Sequence, residues 1–359
     1  MSHVSQPRPA PVRCHSGRVT SAGQGQRAAT IYSVAHRAGV SIATVSRVLQ
    51  GGTATSAATR EKVLRAVAEL QYVPLRAARS LAVQRHEAHG LVIPELRGPF
   101  YSDVLMGYET AAAHAGQSVL LALTRRRADA LRVVGDLMGR VDGLVVGPAT
   151  IPDAAVAALG RKKPLVLVAR PAVPGCDAIT SESAGAARDL VAHLMSRHRR
   201  SHLVFVGDPD SEPDVAERYR GFRHAHAAAD IPVRRPPLRV PTLEAAGVQV
   251  ADEVVRRRVK VDGLVCANDE LALAVMKRLL EHGVRVPDDM VVTGWDDVMA
   301  ARYVTPSLTT VRQPMQELGR GAAVRLHERV GGAPVLPEPV VLPTELVLRA
   351  SCGCVPRSP

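Results

Sequence analysis

Residues 31–48 read Ile31-Tyr-Ser-Val-Ala-His-Arg-Ala-Gly39-Val-Ser-Ile-Ala-Thr-Val45-Ser-Arg-Val48, with small hydroxyl side chains and two arginines set among apolar residues at helical spacing. This is a chemistry suited to DNA. Arg47 could hold guanine O6 and N7 in a bidentate bond, while Ile42 and Ala43 could meet a thymine methyl group. Ser33, Ser41, Thr44, Ser46 and Thr59 suit phosphate oxygens or helix caps, which position a protein without reading bases. On its own Arg47 would be an ordinary solvated charge, and only the constellation around it favours base contact.

Three helices are needed to aim these groups, and the pattern predicts them near 31–38, 42–50 and 56–71, with Pro74 ending the third. Ala35 is small enough for two helices to touch, Gly39 tolerates a positive φ in the turn, and Ser41 and Ser56 can cap the helices that follow. Val34, Val45 and Val48 form the shared seam, and Val63, Leu64, Val67 and Leu70 give the third helix an inward stripe. The second helix would then enter the major groove by its N-terminal end. Charge points the same way. Residues 1–87 carry 12 Lys and Arg against three Asp and Glu, whereas the other 272 residues carry 34 against 31. The formal charge of +12 therefore sits mainly at the end that would meet a polyanion.

Past Leu91 the rhythm changes. Apolar runs at 91–94, 119–123, 143–147, 165–168, 203–207, 263–267 and 291–294 alternate with Ala-rich helical stretches such as 102–115, 183–196 and 269–282. Continuous apolar strands alternating with helices mean parallel sheets covered on both faces. About ten such units exceed one sheet, so two doubly wound α/β subdomains are expected. Aromatic residues are only 3% of the chain, so the cores must be largely Val, Leu and Ala. Neither GxGxxG after the first strand nor GxxxxGK[ST] is present, so no dinucleotide or triphosphate site is signalled. His193, His198, His202, His224 and His226 fall in no HExxH frame, and the first two are five residues apart, off one helical face; they read as surface or packing histidines. Ser181 and Ser183 lack the glycine flanks of a nucleophile elbow. Five cysteines at irregular spacing imply no disulfide framework and a reducing compartment. Cys352-Gly-Cys354 reads as an ordinary tail, a metal site being the alternative. With no membrane-length apolar run and no signal-peptide core, a cytoplasmic protein without cofactor or resident metal is expected.

TIYSVAHRAGVSIATVSRVLQG followed by TREKVLRAVAELQYVPLRAARSL resembles the head of the LacI/GalR family of bacterial repressors, nearly unbroken through residues 30–82. The resemblance implies that Ile42, Ala43 and Arg47 read a half-site. It also implies that a hinge helix forms after Pro74 on DNA, with Arg79 and Leu81 contacting DNA and Leu81 wedged into the minor groove. Gln50 and Leu75 depart from the usual asparagines. More loosely, GLVIPELRGPFYSDVLMGYE, VDGLVVGP, LVFVG, ERYRGF, VDGLVCANDELALAVMKRL and VVTGWDDVMAARYVTPSLTTVRQPMQELG continue in family order. This implies an effector domain like the periplasmic sugar-binding proteins, its ligand held between the subdomains by Phe100, Tyr101, Arg170, Arg218, Asp269, Trp295 and Gln313. A sugar or sugar derivative is implied. Ala169, Ser181 and Glu182 depart from the sugar-binding pattern, and Arg125, Arg126 and Arg127 would favour an anionic effector unless they face solvent. The organisation expected is a leader at 1–29, a helix-turn-helix head at 30–74, a hinge and linker at 75–87, the sensor at 88–350 and a tail at 351–359. Within the sensor, about 88–180 joins 312–341, and 181–311 joins 342–350. A homodimer on a pseudo-palindromic double-stranded operator is implied, since one head makes few base contacts. The segment after Val347 is too short for a tetramerising coiled coil.

Arg47→Ala should weaken cognate-operator binding by about 1–3 kcal/mol while sparing nonspecific DNA. Titrations of both DNAs at one fixed salt concentration check this; equal losses on the two would leave Arg47 only an electrostatic part.

Overall fold

The computed structural model describes residues 29–49, 55–72, 85–125, 127–258 and 260–355. Gln50, Pro74, Leu75, Arg79 and Leu81 lie outside them, and the expected hinge helix with them. The chain divides into two compact units, Met1–Arg79 and Ser80–Pro359.

In the first unit three helices follow one another: α1 (Ile31–Ala38), α2 (Ile42–Leu49) and α3 (Ala57–Glu69). Thr30 and Ser33 close a reciprocal capping box at the start of α1, and Gly39 ends that helix at φ +65°. Ser41 Oγ accepts the Thr44 amide at 3.1 Å, and Ser56 Oγ accepts that of Thr59 at 3.3 Å. Val34, Val45 and Val63 are wholly buried where the three helices meet, with Ala35, Val48, Ala66 and Tyr72 around them. Removing each valine from water contributes about 1.5–3 kcal/mol, much of what so small a core has. The expected stripe on α3 is partly wrong. Leu64 is 47% exposed. The helix turns Val63 and Ala66 inward, and a residue adjacent to Val63 is carried about 100° away.

The second unit contains two sheets. Strands β1 (Ala88–Ile93), β2 (Ser118–Leu123), β3 (Gly143–Val146), β4 (Leu165–Val168), β5 (Asp177–Ser181) and β10 (Val340–Leu342) form the first, in the order β10-β5-β4-β3-β1-β2 with every pair parallel. Strands β6 (Leu203–Val206), β7 (Gly263–Cys266) and β8 (Val291–Thr293) form the second, also parallel and flanked by bridges at Leu238 and Thr309. A short antiparallel pair, β9 (Thr310–Arg312) with β11 (Glu345–Val347), joins it. This is the two-subdomain doubly wound sensor that the sequence pattern implies.

Strand alternation decides the layers. Leu91 and Ile93 face α4 (Pro99–His114) and α12 (Met315–Val330), while Val92 faces α5 (Ala130–Met138) and α6 (Asp153–Gly160). In the second subdomain Phe205 packs under α7 (Ala184–His198) and α8 (Pro213–Ala228). Val204 and Val206 pack under α9 (Glu244–Arg256) and α10 (Asp269–Glu281).

Helices α4 and α12 cross on glycine. A Cβ at Gly319 would lie 1.9 Å from the Val104 carbonyl oxygen, and one at Gly107 would lie 1.9 Å from that of Gln316. Backbone cannot yield as a side-chain tip can. Gly319→Ala should therefore cost about 1–3 kcal/mol, read as a lowered Tm. Gly321→Ala, whose Cβ would meet only Ile179 Cγ2 at 3.5 Å, should hold or raise Tm through helix propensity.

Candidate functional site

The head presents one face of α2. Val45 and Val48 are turned into the core, which leaves Ile42, Ala43 and Arg47 exposed along the helix and Thr44 and Ser46 half-buried beside them. Ser33 and Ser41 are engaged in caps, and Thr44 Oγ1 lies 2.9 Å from Ser41 Oγ. These hydroxyls thus hold the helix starts by accepting backbone amides, and within each hydroxyl pair one O–H is left to donate to a phosphate. Tyr32, 70% exposed on α1, is an aromatic hydroxyl at the same end of the chain that the sequence pattern did not single out. Arg37 and Glu69 tie α1 to α3 by an exposed ion pair of 2.6 Å, a contact of marginal energy.

The sensor encloses a cavity of about 340 Å³ between its subdomains. Every wall is a carboxyl-terminal strand end or the segment after it: Pro94 and Glu95 past β1, Arg125 past β2, Pro148 past β3, Asn268 past β7 and Asp296 past β8. Parallel strands all deliver their loops to one edge, and two such edges face each other here. Phe100 and Tyr101 lie in the wall, edge to face with ring centroids 5.1 Å apart. Arg218 is buried; its Nη1 donates to the Ala267 carbonyl at 2.6 Å, its Nη2 to Asp214 at 2.6 Å, and its guanidinium lies 4.8 Å over the Trp295 ring. Gln313 donates to Asp296 Oδ1 at 2.6 Å and accepts from Ser181 Oγ at 2.6 Å.

Of the seven effector residues expected, Phe100, Tyr101, Arg218 and Gln313 line this cavity, and Arg170, Asp269 and Trp295 do not. Asp269 is fully buried: its carboxylate accepts the Thr310 hydroxyl at 2.7 Å and the Val298 amide at 2.9 Å. It opens α10 but points into the protein, so its neighbours Asn268 and Glu270 meet the cavity instead. Trp295 is 2% exposed and serves as the floor on which Arg218 rests. Arg170 bonds the carbonyls of Gly147 and Ile151 at 3.3 Å and pairs with Asp153, a clamp behind the wall.

Among the carboxylates of the cavity is Asp296, missed in the sequence although its Asp-Asp pair was visible. The chain turns there with positive φ at both residues, 121° and 58°. That turn aims Asp296 inward and leaves Asp297 bonded to Arg349 and Arg312 at 2.6 and 2.8 Å. The arginine cluster does not make a cationic cleft. Arg125 pairs with Glu95, Arg127 pairs with Asp129 away from the cavity, and the side chain of Arg126 lies outside the described residues. The walls carry Glu95, Glu212, Asp214, Glu270 and Asp296 against Arg97, Arg125 and Arg218, an acidic excess. Burial pushes Glu212 and Glu270 up, helped by Asp214 and Glu244 respectively, and pushes Asp296 up to about 7 against the pull of Arg218 and Gln313.

A model of bacterial regulatory proteins of the lacI family matches residues 30–74, and one of the periplasmic binding protein-like domain matches residues 191–352. The HTH-type transcriptional regulator CelR of Thermobifida fusca is 33% identical over 343 residues, covering 91% of this chain and 99% of that protein. The chain belongs to the LacI family. It is a DNA-binding transcriptional regulator. The transcriptional repressor PurR of Photobacterium profundum is 32% identical over 84% of this chain and 92% of its own. Among solved structures, a Lac repressor dimer bound to operator and the anti-inducer ONPF superposes with a TM-score of 0.82 at 27% identity, covering 91% of this chain and 99% of that one. A CelR–cellobiose complex superposes at 0.68 with 31% identity over 90% and 99%. No helix among the described residues of this LacI-family chain is long and apolar enough to cross a membrane.

Two expectations about histidine and cysteine also change. His193 closes on His198, ring centroids 5.0 Å apart, although five residues is about 140° of ideal helix. Cys352 and Cys354 reach the same point, so the apparent tail pair has partners.

Asp296 supplies a measurable sign. An acid whose folded pKa is raised stabilises the fold below its unfolded value of about 4 and loses that stability as pH rises through the folded value. Asp296→Asn mimics the neutral form. Its stability should therefore gain on wild type between about pH 4 and 7, by at most about 1.4 kcal/mol per unit, then level off. Denaturant melts across that range check this; a difference that does not vary with pH would count against it.

Proposed function

We propose that this LacI-family regulator is a repressor. As a homodimer it binds a pseudo-palindromic operator through paired α2 helices, with an affinity set by an uncharged, polyhydroxylated effector of sugar type in the sensor cavity. The observation that carries the effector class is the composition of the cavity. Buried carboxylates and amides accept and donate to hydroxyl groups, the Phe100–Tyr101 edge suits a sugar ring face, and the acidic excess repels a phosphate or carboxylate. One relative is named a repressor, and a related structure holds cellobiose. The relatives are named transcriptional regulators, which favours a binding role for the cavity over a catalytic one. For the dimer, support comes from apolar surface about edge strand β2, where Leu121, Leu123, Leu131 and Met106 are 38%, 38%, 54% and 58% exposed. Residues 75–87, as hinge and linker, would carry the coupling, with Arg79 and Leu81 at the DNA.

The coupling is reciprocal and of the order of 5- to 150-fold. Operator sequences selected from random DNA, then titrated with and without mono- and disaccharides, should show that change for a neutral sugar that also raises the sensor's Tm. Sugar phosphates should do neither. A response confined to phosphorylated ligands would overturn the effector class, and no preference among DNA sequences under any ligand would overturn the regulator.

A further inference from the structure

Well away from the cavity, the second subdomain gathers four metal-ligating side chains. His193 and His198 stand on the last turns of α7. Cys352 and Cys354 flank the end of a 3₁₀ turn, Ala350–Cys352, near the end of the described chain. Their ligand atoms all lie within 4.8 Å of one another. The two Nε2 atoms are 3.1 Å apart, and each is 3.3 Å from Cys354 Sγ. We propose that His193, His198, Cys352 and Cys354 form a tetrahedral zinc site that fastens the C-terminal segment to the end of α7.

Geometry is the first ground. Zinc bonds of about 2.0–2.1 Å to nitrogen and 2.3 Å to sulfur at tetrahedral angles put two nitrogens about 3.3 Å apart and nitrogen and sulfur about 3.5 Å apart. The observed separations already approach these. As hydrogen bonds alone the same contacts are poor, because one N–H would be shared between two acceptors, whereas a cation satisfies every lone pair.

The connecting residue is the second ground. Gly353 has φ +100°, and a Cβ there would lie 3.2 Å from His198 Nδ1. Only glycine lets the Cys-x-Cys turn close on that ring. The donor set is the third. Two thiolates and two imidazoles select zinc among common divalent ions and leave no open position, so the site is structural and not catalytic. Arg197 stands nearby, but the paired thiolates neutralise the dication and the arginine meets no net positive charge. The Cys352 thiol donates to the Arg349 carbonyl at 3.2 Å; its proton is one that the metal would displace.

The test uses full-length protein without a histidine tag, purified under thiol reductant and without chelator. Elemental analysis should find about one zinc per chain. Cys354→Ser and His198→Asn should each reduce it to trace, and Cys14→Ser should leave it intact. Cobalt(II) added to the metal-depleted wild type should give visible bands with thiolate charge transfer, and chelator should lower the Tm of wild type but not of Cys354→Ser. Should the variants fail to fold, the wild-type cobalt spectrum decides. The proposal falls if the reduced wild type binds neither metal, if zinc persists in folded Cys354→Ser, or if the intact mass shows a Cys352–Cys354 disulfide that survives the reductant.

Discussion

The sensor depends on three crossings of two residues each. Chain passes from the first subdomain to the second at Glu182-Ser183, returns at Gln313-Pro314, and leaves again at Pro343-Thr344. Strands so connected cannot move independently. The crossings are also bonded together: the Glu182 amide donates to the Leu342 carbonyl at 2.8 Å, Thr344 Oγ1 donates to the Glu182 carbonyl at 3.2 Å, and Ser181 Oγ donates to Gln313 at 2.6 Å. Neither sheet is complete without chain that has visited the other, since β10 joins the first only after β9 has left the second. So bonded, the crossings have the form of a hinge, and the cavity lies between the two parts that they join.

Buried charge reinforces the arrangement. Arg218 and Asp297 each sit where an unpaired ion would be prohibitive, and each is paired or hydrogen-bonded on more than one side. Asp297 binds arginines from β9 and from the segment after β11, and Ser351 donates to the Val292 carbonyl at 2.6 Å. The late segment is therefore anchored along its length before it reaches the cysteines. A zinc ion there would close a series of attachments already in place.

How much of this was legible in the sequence follows from what each signal reports. Period and apolar runs report burial, so α1, α2 and the strands from β1 to β4 and β6 to β8 fall within a few residues of their expected spans. Strands β5, β9, β10 and β11 were not singled out: β5 carries Asp177, Thr180 and Ser181 in place of a continuous apolar run, and the other three are three residues long and partly exposed. Side-chain direction is a different matter. Asp269 and Asp296 are both acids next to strand ends, and nothing in their spacing tells which is bonded inward. That is decided by Thr310 and the Val298 amide, supplied by other segments. Trp295 is expected at the ligand from the family resemblance alone, yet its bulk suits it to the floor beneath Arg218. Likewise the His–Cys cluster joins residues more than 150 apart, and no local pattern could signal it.

Gln313 links the cavity to the hinge. Gln313 bonds a hinge residue, Ser181, with its oxygen and the cavity carboxylate, Asp296, with its nitrogen. An effector hydroxyl that donates to Asp296 must either share that carboxylate with Gln313 or displace it. A hydrogen bond to a charged group is worth about 1.5–3 kcal/mol, and allosteric coupling typically amounts to about 1–3 kcal/mol. The two scales coincide. If the effector binds as proposed, an exchange at Asp296 would reach the hinge through Gln313, its size set by the difference between the bond lost and the bond gained.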